Sequence, residues 1–200
     1  MQEAIVHLKS SDPILSEIID RVGDYRIQFR DPDFETLVKS IVYQQLSGRV
    51  ASVIFQRLVR AVKGNVTPEA ILKLRPSRMR TLGLSGQKTA YIRDLARHTR
   101  DGSVVFEELG DLPDSDVIER LTRVKGIGVW TVHMFLIFAL RRHDVLPVGD
   151  LGIRNAIRNA YNLDELPAPA DMERLAVRWR PYCTVASWYL WRSLEPDTNL

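Results

Sequence analysis

Helix-start signals recur along this chain, each followed by apolar residues at helical spacing. Asp12-Pro13 sets a capping side chain beside a proline at the first helical position. Ile14, Leu15, Ile18, Ile19 and Val22 then follow a helical face as far as Gly23. Asp31-Pro32 repeats the device ahead of Phe34, Leu37, Val38, Ile41 and Val42. Ser47 stands ahead of Val50, Ile54, Leu58 and Val62, which run up to Gly64. Thr67-Pro68-Glu69 opens a short helix, Pro76 or Ser77 begins a turn running to Gly83, and Ser85 caps a helix over about 86–100. A looser stretch, 101–113, is expected to hold a short extended piece at Ser103–Phe106. Further helices are predicted at about 115–124, 129–142, 151–161, 170–179 and 181–194. No convincing β-hairpin, glycine-rich phosphate loop, low-complexity segment or repeat interrupts the pattern. The fold class predicted is all-α, with ten or so helices joined by short turns.

Two hundred residues suffice for one domain, or for two helical lobes sharing a core. With 45% hydrophobic and 26% charged residues, the composition is that of a folded globular chain. A single cysteine, Cys183, excludes a disulfide framework, a thiolate zinc site and a four-cysteine iron–sulfur cluster built within the chain. It fits a reducing compartment. MQEAIVHLKS has no basic segment leading into an apolar one, so no secretory signal is evident. The longest apolar run, Met134 to Leu140, is far short of the roughly 20 residues that span a bilayer. The expectation is a soluble cytoplasmic protein with no membrane partner.

Lysine and arginine number 28 against 25 acids, a formal charge of +3, which permits a nucleic-acid partner without demanding one. The charge is unevenly spread. Arg75, Arg78, Arg80, Lys88, Arg93, Arg97 and Arg100 face one acid, Asp94, whereas 101–119 carries acids and no lysine or arginine. Each charge read singly belongs to a solvated face. As segments, 75–100 can lie along a polyanion while 101–119 faces away.

The most informative segment is Leu121-Thr122-Arg123-Val124-Lys125-Gly126-Ile127-Gly128-Val129-Trp130-Thr131. An amphipathic helix ends at a Gly-x-Gly turn and a new helix begins at once. Two such glycines allow a sharp turn and a close approach to a bulky partner. The free N–H groups of the second helix then form an anion site, for which a DNA phosphate is one fitting ligand. A tight interhelical corner is an equally good reading of the turn alone. The helix from Val129 is apolar nearly all round, so it is expected to be central and buried. After it, Pro147-Val148-Gly149-Asp150 places a carboxylate where the next helix starts, which by itself reads as an N-cap.

Taken together, 121–131 followed by Pro147-Val148-Gly149-Asp150-Leu151-Gly152 resembles the helix-hairpin-helix DNA glycosylases, in particular the AlkA-like 3-methyladenine DNA glycosylase II branch in its short form. Ile41-Val42-Tyr43-Gln44-Gln45-Leu46-Ser47, Leu82-Gly83-Leu84-Ser85-Gly86-Gln87-Lys88 and Trp179-Arg180-Pro181-Tyr182 with Trp188 and Trp191 extend the likeness over about 30–195. The resemblance implies two helical lobes with a cleft between them in a single glycosylase unit, 1–200. One lobe is expected at about 35–145, with the hairpin at 121–131. The other combines about 1–34 with 146–200. The long form's extra N-terminal β-rich domain is not expected, because too few residues stand ahead of Asp31 to hold one.

The resemblance also assigns roles. Asp150 takes the place of the catalytic aspartate, and a carboxylate suits that place. Cleaving an N-glycosidic bond develops oxocarbenium charge, which it can stabilise, or it can orient the attacking water. Trp130, Met134 and Trp191 match base-pocket positions, with Met134 standing where the long forms have tyrosine. Alkylated purines such as 3-methyladenine and 7-methylguanine are cationic and suit aromatic faces; core packing is the alternative for each tryptophan. Leu46, between Gln45 and Ser47, falls where the family inserts a wedge into the gap left by the extruded nucleotide; a core leucine is its alternative. Lys125, Gly126, Gly128 and Thr131 are expected to grip phosphates. The carbonyls of Thr122, Val124 and Ile127 are candidates to hold a structural Na+ or K+, with no other cofactor required.

Members with lyase activity carry a lysine two residues after the second hairpin glycine, and Trp130 stands there. The implied enzyme is a monofunctional, monomeric glycosylase for alkylated bases in duplex DNA, leaving an abasic site through base flipping, and located with the nucleoid if the source is bacterial. Two other readings stay open: a non-catalytic helix-hairpin-helix DNA-binding module, and a structural bundle whose Gly-x-Gly corner is only a turn.

Overall fold

The structure is a computed structural model, and it describes residues 1–195. Among these there are thirteen α-helices and no strand. They are α1 (Gln2–Ser11), α2 (Pro13–Val22), α3 (Phe34–Tyr43), α4 (Gly48–Ala61), α5 (Pro68–Lys73), α6 (Pro76–Thr81), α7 (Gly86–Arg100), α8 (Phe106–Leu109), α9 (Asp114–Thr122), α10 (Val129–Phe138), α11 (Leu151–Ala160), α12 (Pro169–Ala176) and α13 (Cys183–Arg192), with a 3-10 turn at Val177–Trp179. No helix of the described residues is long and apolar enough to cross a membrane.

The chain forms two compact units. One is Arg30–Phe135; the other joins Met1–Phe29 to the chain from Leu136 on. The sequence had suggested breaks near 34/35 and 145/146. The breaks fall instead at 29/30 and at 135/136, the second within the span of α10.

In the unit built from the two ends of the chain, α2 packs on α1 and α13, and α13 packs on α11. Leu8, Leu15, Ile153, Ile157, Met172, Trp179 and Tyr189 form its buried centre. Asp12 is buried there too, at 1% exposure. Its Oδ1 accepts the N–H groups of Ile14 and Leu15 at the start of α2, and its Oδ2 accepts Trp179 Nε1–H at 2.8 Å and the Tyr161 hydroxyl. One side chain thereby caps a helix and ties it to the 3-10 turn. Helix α1 was not foreseen, although Ala4, Ile5 and Leu8 keep the spacing of its packed face.

In the middle unit, α7 packs against α3, α5 and α6, and α4 against α3. Leu37, Val38, Ile41, Leu58, Ile71, Ile92 and Leu95 are fully buried. Thr67 and Ser85 cap α5 and α7 through their hydroxyls. The cap of α3 is Asp33, whose carboxylate accepts Thr36 N–H at 2.8 Å, rather than Asp31. Ser47 holds the N-cap position of α4 without a capping hydrogen bond from its side chain.

The extended piece expected at Ser103–Phe106 is not formed. Asp101 Oδ1 accepts both the N–H and the hydroxyl of Ser103, closing a turn after α7, and buried Phe106 opens the short helix α8. An isolated strand would leave its backbone groups without partners; this turn supplies them.

Candidate functional site

Asp150 occupies the N-cap of α11, at the end of a tight turn in which its N–H reaches Pro147 O at 2.8 Å. The side chain is half-buried. Its Oδ1 accepts Ile153 N–H at 2.9 Å and Trp191 Nε1–H at 2.9 Å. The carboxylate that caps this helix is thus held by an indole as well as by the helix terminus. Trp191 lies on α13 and stacks on Phe138, centroids 5.9 Å apart at 24°. Gly152 makes the meeting possible: a Cβ there would stand 2.9 Å from Asp150 Oδ1 and 3.2 Å from Trp191 Cδ1.

The hairpin lies in the middle unit. Helix α9 ends at Thr122, Val124 N–H bonds Leu121 O, and Ile127 N–H bonds Val124 O at 3.1 Å. Buried Val124 and Ile127 anchor it, while Lys125, Gly128, Val129 and Trp130 are exposed. Val129 and Trp130 at the start of α10 therefore face outward, although the rest of the helix is mostly buried as its apolar sequence predicts. Trp130 is 47% exposed and Met134 half-buried. Thr131 is buried, so its side chain is not presented to a polyanion.

The two glycines are not equivalent. Gly126 has φ +84°, and a Cβ would lie 2.1 Å from the Tyr91 ring. The fold itself requires that glycine. A Cβ on Gly128 meets nothing within 4 Å, so the fold leaves that position open.

Residues 43–46 form a type II turn. Gln44 has φ −53° and ψ 128°, Gln45 has φ +57°, and Leu46 N–H bonds Tyr43 O. Gln45, Leu46 and Ser47 are all exposed, Leu46 at 39%, so Leu46 is not a core leucine. A glutamine at positive φ persists only where its surroundings hold it.

Sequence reasoning missed what holds it. Lys88 Nζ donates to the carbonyls of Val42 at 2.6 Å and Gln44 at 2.7 Å. Gln44 Nε2 donates to Gly126 O at 2.9 Å, and Asp94 accepts Lys125 N–H at 3.0 Å. The 75–100 segment is thus not uniformly turned toward a polyanion. Lys88 caps the end of α3, and Arg93 donates to Leu74 O at 2.7 Å beyond α5. Helix C-termini leave carbonyls without donors, and these cations supply them.

The carbonyl oxygens of Thr122, Val124 and Ile127 are neutral, hard donors. The Val124 oxygen accepts one N–H and, like any carbonyl, keeps a second lone pair. That donor set fits a monovalent alkali cation. Among the described residues no group of three or more His, Cys, Asp or Glu side chains could hold a metal ion.

Residues 38–181 match the model of the HhH-GPD superfamily base excision DNA repair proteins. The chain is 35% identical to DNA-3-methyladenine glycosylase 1 of Schizosaccharomyces pombe over 96% of its own length and 87% of that relative's. It is similar to the solved structure of the S. pombe 3-methyladenine DNA glycosylase in complex with abasic DNA, with a TM-score of 0.84 over 96% of each chain at 35% identity. It is also similar to DNA-3-methyladenine glycosidase from Bacillus halodurans, with a TM-score of 0.87 at 36% identity over 95% of this chain and 88% of that one.

Proposed function

The chain belongs to the HhH-GPD superfamily of base excision DNA repair proteins, and from that premise we propose a monofunctional DNA glycosylase that hydrolyses the N-glycosidic bond of alkylated purines in duplex DNA. The observation that carries this reading is the carboxylate of Asp150, held at a helix start by Ile153 N–H and the Trp191 indole.

The C1′–N bond breaks with its electron pair leaving on the purine, which departs neutral because alkylation had made it cationic. Oxocarbenium charge grows on the deoxyribose, and the Asp150 carboxylate stabilises it. Water adds hydroxide to C1′, and its proton goes to Asp150 or solvent, leaving an abasic site. Trp191, stiffened by its stack on Phe138, offers an aromatic face to a cationic base. Trp130 offers an exposed one at the start of α10.

The target base must leave the stack to be cleaved. Leu46, on its exposed turn, is suited to fill the gap, with Gln45 and Ser47 beside it. Lys125 and the N–H groups at the start of α10 suit phosphates. The carbonyls of Thr122, Val124 and Ile127 would hold Na+ or K+, whose charge would add to that of the hairpin. Trp130 stands where lyase members carry their lysine, so no amine is placed there for a Schiff base, and water is the nucleophile. The enzyme acts as a monomer on DNA.

The test is release of methylated purines from duplex DNA by wild type and Asp150→Asn. Loss of about 10²- to 10⁴-fold in the variant, with duplex binding retained, is expected. Equal rates would sink the catalytic assignment and leave a non-catalytic helix-hairpin-helix DNA-binding module. A covalent adduct trapped by borohydride would overturn the water mechanism.

A further inference from the structure

The turn that carries Leu46 and the hairpin that carries Gly126 and Lys125 lie far apart in sequence, yet one face of α7 holds both. Lys88, Tyr91 and Asp94 follow each other along that face. Lys88 takes the carbonyls of Val42 and Gln44. The Tyr91 ring fills the space where Gly126 lacks a Cβ, and Asp94 binds Lys125 N–H. Gln44 closes the circuit, accepting from Lys88 through its backbone oxygen and donating to Gly126 O through its side chain.

We propose that Lys88 is a positioning residue: clamped on the Val42 and Gln44 carbonyls, it fixes the Leu46 turn in register with the hairpin and so keeps the wedge rigid during base extrusion. This rests on the reading of Leu46 as the wedge. The turn needs an outside constraint, because Gln45 holds a positive φ that non-glycine side chains rarely adopt. A wedge on a loose turn follows the base stack instead of displacing it, and placement errors of about 1 Å are enough to cost large factors in rate. The competing role for Lys88 is a phosphate contact, as its place in the basic stretch suggests. Against that, two short hydrogen bonds direct the ammonium inward onto backbone oxygens. Burial lowers its pKa from the ordinary lysine value, the direction of a cation withdrawn from water.

The test compares wild type with Lys88→Met on two duplexes carrying 7-methylguanine, one opposite cytosine and one opposite an abasic site, where the base is already unpaired. Single-turnover base release from the paired duplex is expected to fall at least about tenfold. The loss is expected to shrink to about threefold or less on the unpaired duplex, because less unstacking work is asked of the wedge. The salt dependence of binding to undamaged duplex is expected to match wild type. Equal losses on both duplexes, no loss on either, or a salt slope reduced by about 0.9, the signature of a lost phosphate contact, would each overturn the proposal.

If Lys88→Met does not fold, Gln44→Leu breaks only the link to Gly126 and is expected to show the same dependence on pairing; absence of that dependence overturns the proposal equally. Lys88→Arg, which keeps donors over both carbonyls, is expected to recover most of the release from the paired duplex. Wild type that releases no base from either duplex overturns the glycosylase reading itself, a result distinct from any of these.

Discussion

Trp191 Nε1–H and Asp150 Oδ1 stand 2.9 Å apart across 41 residues of sequence, and Gly152 is what lets them meet. The indole and Ile153 N–H together leave the carboxylate little freedom to rotate. Gly152→Ala brings a methyl group to 2.9 Å from the Asp150 oxygen and 3.2 Å from the Trp191 ring, so one of them must move. Hydrogen bonds to charged groups contribute about 1.5–3 kcal/mol, which corresponds to roughly ten- to a hundredfold in rate. Base release by Gly152→Ala and by Trp191→Phe is expected to fall within that range. Duplex affinity, measured by fluorescence anisotropy, is expected to hold within about twofold. Unimpaired release by both variants would show that this hydrogen bond has no part in positioning Asp150.

Asp12 makes a similar convergence for stability alone. Its buried carboxylate satisfies two N–H groups of α2, the Trp179 indole and the Tyr161 hydroxyl. Asp12→Ala strips all four partners of their acceptor at a site 1% exposed. A cost of about 3–5 kcal/mol is expected, because several buried donors lose their partner at once. Denaturant unfolding measures it. Base release per folded molecule at low temperature is expected to stay near the wild-type rate, since the change removes no side chain assigned to the chemistry.

How much of this was legible depends on the range over which a signal acts. Asp12, Thr67, Ser85 and Asp150 were readable as caps because a cap is written within four residues of its partner. The cap of α3 slipped from Asp31 to Asp33 because two aspartates flank one proline and only geometry separates them. Helix α1 was missed for want of a side-chain cap at Met1. The sequence left Leu46 open between a wedge, implied by the resemblance, and a core leucine, and its 39% exposure decides against the core. The inward turn of Lys88 was not legible: its partners lie 46 and 44 residues away, and no periodicity records such a contact. Likewise, Gly126 and Gly128 look alike in sequence and differ only in what a Cβ would strike.

Alkaline titration reports the aromatic cluster around α13. Tyr25 packs edge-on against Trp188 at 4.8 Å, and burial followed by the neighbouring Tyr189 raises its pKa to about 12. Burial, followed by the Asp12 carboxylate that its hydroxyl meets, raises Tyr161 as well. An unfolded tyrosine ionises near pH 10. Below that pH both states are protonated and the stabilisation is fully present. As pH rises from about 10 to 12 the unfolded chain loses protons that the folded chain retains, so stability falls across that window. Absorbance at 295 nm is expected to show fewer ionised tyrosines at pH 10.5–11 in the native chain than in denaturant. Coincident titration curves would show that these rings are not shielded.

The hairpin glycines offer the sharpest separation between fold and function. Gly126→Ala forces a Cβ to within 2.1 Å of the Tyr91 ring and holds a side chain at φ +84°. The ring must move, its packing is lost, and a destabilisation of about 2 kcal/mol or more is expected in denaturant unfolding. Gly128→Ala meets open space, so unfolding is expected to change by less than about 1 kcal/mol. If that open space is where a phosphate approaches the start of α10, the added methyl group displaces it. Duplex affinity is then expected to fall about tenfold, near 1.4 kcal/mol, with the fold intact. A Gly128→Ala variant that binds duplex as wild type does would remove the hairpin from the DNA interface. A destabilised Gly128→Ala variant would show that the glycine serves the turn alone.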